Sequence, residues 1–162
     1  VSDGDALKVV NEVLEGYAKR GVIRGLGTQS LGGGRAVFTL LWHHGREFEL
    51  LLDPRRGTLR FPVLLPEVPA RSAMDRELRS FVRSRHDGAL PEHRRVDDSR
   101  AEVRVFNRGG DLSLTLKLKN GDLEYGARKL IHLVHEIFMD FLYDGRWRDY
   151  MEQHFDLPPD AW

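Results

Sequence analysis

Apolar and polar positions along this chain switch between two periods. Near the N-terminus, Leu7, Val10, Val13, Leu14 and Tyr17 recur at helical spacing, the 3.6-residue period that lays one stripe against a core. The pattern predicts a helix over residues 3–20, opened by a Ser2–Asp5 box-like cap and stopped at Gly21. Residues 25–34 are glycine-rich and read as a flexible connector. The period then becomes two. Ala36 to His43 alternates Phe38, Leu40 and Trp42 against Val37, Thr39 and Leu41, and His44-Gly45 makes a turn. Arg46 to Leu52 puts Phe48, Leu50 and Leu52 on one face, and Thr58 to Leu65 alternates Leu59, Phe61, Val63 and Leu65. Pro62 marks that third strand as an edge or a bulge, because proline cannot donate to a ladder.

After Pro66 and Pro69 the helical period returns. A second helix is predicted from Ser72, with Asp75 completing a box and Met74, Leu78, Phe81 and Val82 forming the stripe. Residues 86–100 are polar and charged, and are expected to be an exposed, mobile loop. Val103 and Val105 point inward on a short strand, and Arg108-Gly109-Gly110-Asp111 turns the chain. Leu112, Leu114, Leu116 and Leu118 then alternate with Ser113, Thr115, Lys117 and Lys119, which predicts one buried face and one wet face. Asp122 caps a long helix whose stripe runs from Leu123 through Ala127, Leu130, Ile131, Val134, Ile137 and Phe138 to Phe141. A fourth, short helix carries Trp147, Tyr150, Met151 and Phe155, and Leu157 to Trp162 forms an extended tail.

The expected fold is α+β: helix, three strands, helix, two strands, helix, with a five-stranded, mainly antiparallel sheet and the first and third helices on one face. The chain reads as one domain, residues 1–162, with its core over about 3–142 and a C-terminal helix and tail over 145–162. Charge narrows the function. Lys plus Arg and Asp plus Glu both number 25, so bulk charge does not attract nucleic acid, and no nucleic-acid partner is expected. With no cysteine, disulfides and thiolate chemistry are absent. No apolar run approaches the ~20 residues of a membrane span. The polar N-terminal residues do not resemble a signal peptide, so a cytoplasmic location is the expectation.

The chemical candidates are few. His132, His135 and Glu136 share one side of the long helix, a weak metal-ligand pattern. Their order differs from the His-Glu-x-x-His helix of metalloproteases, and they fall with Arg128 and Lys129 on what reads as a solvated face. No bound metal or cofactor is expected. Adjacent His43 and His44 point to opposite sides of a strand end. The glycine-rich segment lacks the Gly-Lys-Ser/Thr ending of a phosphate loop. Arg79, Arg83, Arg85, Arg94, Arg95, Arg100 and Arg104 form a basic run that could meet phosphates, but acidic residues are interleaved. No catalytic residue is assigned, and no enzyme is expected. The alternative functions are a metal-dependent enzyme at His132, His135 and Glu136, or a phosphate contact at those arginines.

The block from Val103 to Leu142 is a short strand, a turn, an alternating strand ending Lys-Leu-Lys-Asn-Gly, and a long amphipathic helix. With the order of elements before it, this block resembles the YbjN-like bacterial proteins and the type III secretion chaperone-like fold. The resemblance implies a small α+β protein that dimerises and holds another, unidentified protein on apolar patches, with a chaperone-like or regulatory role and no catalytic residues. The apolar stripes exceed what one sheet can cover, so a homodimer is expected. Its candidate binding residues are Met74, Leu78 and Phe81 on the second helix and Trp147, Tyr150, Met151 and Phe155 near the C-terminus.

Overall fold

The computed structural model describes residues 3–43 and 45–155. The expected Ser2 cap, His44 and the tail from residue 156 lie outside them. Within these residues the chain forms helix α1 (Asp3–Lys19), strands β1 (Arg24–Gly32), β2 (Arg35–Trp42), β3 (Arg46–Asp53) and β4 (Thr58–Leu65), then helix α2 (Ala73–Ser84). Strands β5 (Ala101–Arg108) and β6 (Asp111–Leu118) follow, with helices α3 (Leu123–Glu136) and α4 (Arg148–Phe155) closing the order. The class is α+β, as the periodicity predicted.

The sheet has six strands, not five, in the order β1-β2-β3-β4-β6-β5, and every neighbouring pair is antiparallel. The added strand is the glycine-rich stretch that read as a connector. β1 is an edge strand with most of its residues exposed, so it needs no apolar alternation to hold its place. Its glycines have local causes. A Cβ on Gly27 would stand 2.8 Å from Thr39 Oγ1, so a larger residue there would have to displace that side chain. Gly33 and Gly34 turn the hairpin into β2 with φ of 64° and 79°, a region that L side chains avoid.

The core rests on the two-residue period of the inner strands. One cross-strand row runs Ala36, Leu52, Leu59, Leu116, Val103, and each member is buried. All four alternating leucines of β6 are buried as predicted. Thr115 is half-buried and Lys117 exposed, while Ser113, opposite Phe106 in the ladder, is shielded as well. Pro62 sits in a central strand at a break in the ladder: the β4–β6 register shifts between Phe61 and Leu65. The bulge reading is therefore correct and the edge reading is not.

Helices cover one face of the sheet. α1 packs on α3, β1 and β2, while α3 packs on β6 and β4. A Cβ on Gly126 of α3 would lie 2.9 Å from Leu118 Cδ2, a measure of how closely that helix presses on β6. α2 lies along the β5 edge, where Arg79 donates to the Val105 carbonyl at 2.7 Å and the Val103 amide donates to His86 at 3.4 Å. Side chains thus occupy backbone groups that an added strand would use.

The long C-terminal helix is shorter than its stripe suggested. α3 ends at Glu136 and continues as a π-helical turn, Ile137–Phe141, then a 3-10 turn, Leu142–Asp144, closed by Gly145 at φ 95°. The π turn sets Ile137, Phe138 and Phe141 inward together. Leu116→Ala is expected to cost about 2–5 kcal/mol in urea unfolding, against about ±0.5 kcal/mol for Thr115→Ala. Equal effects at the two positions would contradict this placement of the core.

Candidate functional site

The expected histidine face of α3 is only partly solvated. His135 is exposed, but Glu136 is 5% exposed and forms an ionic knot. Its Oε2 accepts from Arg85 at 2.8 Å, and its Oε1 lies 2.8 Å from His132 Nε2 and 3.7 Å from Arg94 Nε. Arg94 also donates to Asp140 at 3.1 Å, and Lys129 donates to the Glu92 carbonyl at 2.6 Å. The placement of Glu136 on a wet face is thus corrected: residues from the loop after α2 fold over it. Burial lowers the His132 pKa, and the nearby Glu136 carboxylate only partly offsets this.

The loop itself is not simply exposed. Val96 is buried, Glu92–Arg94 form a 3-10 turn, and the Asp97 amide donates to Tyr125 of α3 at 2.9 Å. A small cleft of about 310 Å³ remains beside His93, His132, His135 and Met139. The rings of His93 and His135 each stand 6.5 Å from that of His132. Among the described residues, no group of three or more His, Asp or Glu side chains is placed to hold a metal ion.

A second buried acid, Asp75, ties α2 to the β5–β6 hairpin. Ser72 caps the helix by accepting from the Asp75 amide, as its spacing predicted. The Asp75 carboxylate accepts from Arg79 at 2.5 Å, from Asn107 at 2.9 Å and from the Arg71 amide at 3.2 Å. Burial pushes its pKa up, but these hydrogen bonds outweigh burial and hold it below the ordinary carboxylate value.

The basic run around α2 is largely engaged within the chain. Arg79 and Arg85 hold the two buried acids, Arg94 reaches Glu136 and Asp140, and Arg95 donates to the Gly88 carbonyl. Arg100 pairs with Asp122 over the Tyr125 ring, and Arg104 pairs with Glu102.

The expected partner-binding residues also turn inward. Met74, Leu78, Met151 and Phe155 are buried. Phe81 packs on Phe141 with ring centres 5.7 Å apart, and Phe141 stacks on Trp147 at 5.8 Å. Tyr150 donates to the Pro66 carbonyl at 2.6 Å, and burial raises its pKa. α2 and α4 therefore close the chain's own core.

The surface left over is the opposite face of the sheet. Its central row runs Val37, Leu51, Arg60, Thr115, Arg104. Phe106 is 51% exposed and Val63 39%. From β3 to β5 this face holds a trough of about 760 Å³ over Leu51, Arg60, Pro62, Val63, Phe106 and Ser113. A further hollow of about 300 Å³ lies beside Arg104, Phe106 and Lys117. Basic side chains (Arg56, Arg60, Arg104, Arg108, Lys117, Lys119) outnumber the acidic Asp53, Glu102 and Asp111 along the two hollows. Arg60 is half-buried, and its Nε is shielded from water with no hydrogen-bond acceptor among the described residues. One sequence signal pointed here: with Val103 and Val105 inward, Phe106 has to face out. Comparison with family models, curated proteins and solved structures found no match for this chain.

Asp75→Asn tests the buried acid. The amide cannot accept all three donors, and at neutral pH the substitution is expected to cost about 1.5–3 kcal/mol. Because the folded carboxyl pKa is depressed, the wild-type advantage is complete above the ordinary value of 3.8 and fades as pH falls through the lower folded value. Urea titrations of both proteins across that range check this. A difference that does not change on acidification would contradict the ionic role.

Proposed function

We propose that this chain is a non-catalytic protein-binding module with a chaperone-like or regulatory role, and that it binds through the uncovered face of its sheet. The observation that carries the reading is the trough itself: apolar side chains and the half-buried guanidinium of Arg60 share one concave surface. Val63 and Phe106 stand exposed on this face beside half-buried Leu51, and a partner seated there would remove them from water. The β5 edge is capped by Arg79 and His86, which disfavours binding by strand addition there and supports the face over that edge. The homodimer expected from surplus apolar surface moves with this reading. Its helical residues pack internally, so a second copy would compete with other proteins for the sheet face.

Position-specific crosslinking tests the proposal. A photoreactive benzoylphenylalanine replaces Phe106, and separately Arg128, which is exposed on α3. In cells, position 106 is expected to give discrete protein adducts that Val63→Asp removes, while position 128 gives none. Equal adducts from both positions, or none from 106, would overturn the proposal.

A further inference from the structure

We infer that the sheet face takes an acidic polypeptide segment with interspersed apolar side chains, so that a partner carboxylate pairs with Arg60 while apolar groups cover Phe106 and Val63. This rests on the reading of that face as the binding surface. Arg60 sets the preference. A guanidinium carries five donors and stays charged in proteins. Arg60 lines the trough and is half-buried, so its charge draws a carboxylate there, most effectively in the two-pronged arrangement arginine favours. Leu51 and Thr115 flank Arg60 in the ladder, and neither side chain carries charge.

The neighbours extend the preference. Arg108 and Lys117 stand exposed on the same face, so the field over the trough favours acidic groups. The apolar floor of Leu51, Pro62 and Val63 with Phe106 asks for apolar side chains between the acids. A second copy seated over the trough would bring the same basic strands together, which disfavours it. Nucleic acid would satisfy the arginines, but the single aromatic ring among the trough's lining residues offers no platform of stacked rings for successive bases.

The test uses the whole chain and three probes: a short peptide alternating acidic and apolar residues, its twin with lysine at the acidic positions, and a single-stranded oligonucleotide. Calorimetric titration is combined with amide chemical-shift mapping. The acidic peptide is expected to bind, to shift β4, β5 and β6 amides, and to weaken as salt is raised. Arg60→Ala and Phe106→Ser should each weaken it by about tenfold or more. Both residues face away from the core, so unchanged melting curves are expected and separate lost binding from lost folding. Arg128→Ala is expected to change nothing.

Binding of the lysine twin as tightly as the acidic peptide, indifference to Arg60→Ala, or tighter binding of the oligonucleotide would overturn the inference. If the acidic peptide fails while crosslinks from position 106 persist, the face binds proteins but not acidic ones. If those crosslinks join two copies of this chain, the occupant is a second copy and the inference is wrong. If both experiments fail, the protein-binding reading falls with it.

Discussion

One-sided coverage of the sheet is the constraint on which the rest of the structure depends. Alternation in the inner strands sends most of their large apolar residues to a single face and draws the helices to it. Phe38, Leu50, Leu59, Phe61, Leu114 and Leu116 are each 1% exposed or less. α1, α3 and the π turn pack on that face, and α4 seats Phe155 against Phe48 and Phe138. Hydrophobic burial on this scale dominates folding. It also leaves the other face without cover, which is where the proposed binding surface lies.

Buried charges then fix how the outer elements sit on this core. Glu136 gathers arginines from separated parts of the chain, and Asp75 reaches from α2 to Asn107 on β5. Such pairs add little net stability over apolar packing, but leaving one partner alone in the interior is costly. Misplacing the loop after α2 would strand Glu136, and misplacing α2 would cost Asp75 its bond to Asn107. The two acids therefore select one arrangement of α2 and its following loop against α3 and the β5–β6 hairpin. This engages the arginines of that region, while Arg60 lies on the opposite face of the sheet.

Much of the fold was legible in the sequence because burial imposes a period. The leucines of β6, the caps at Ser72 and Asp122 and the stripe of α3 were all readable, since each depends on neighbours within a few residues. β1 was not legible: an exposed edge strand needs no apolar pattern, and its glycines answer to a turn and to close contact with Thr39. The burial of Glu136 was hidden because Arg85 lies 51 residues away, and no local period reports so distant a pairing. The inward packing of Phe81 and Trp147 escaped for the same reason. Apolar stripes on α2 and α4 looked like surplus until the π turn brought Phe141 between them. The site was legible only in outline, as apolar residues on both sides of the strands now seen as β2 and β3.

Carbene footprinting of the two sheet faces tests the central claim most directly. In the purified chain, Leu51, Val63 and Phe106 are expected to be labelled while Leu59, Leu114 and Leu116 are not. In the complex recovered intact from cells, labelling of the first group should fall while that of exposed Met139, on the π turn, stays as it was. Unchanged labelling of Val63 and Phe106 in the complex, with protection confined to the helical side, would contradict the account.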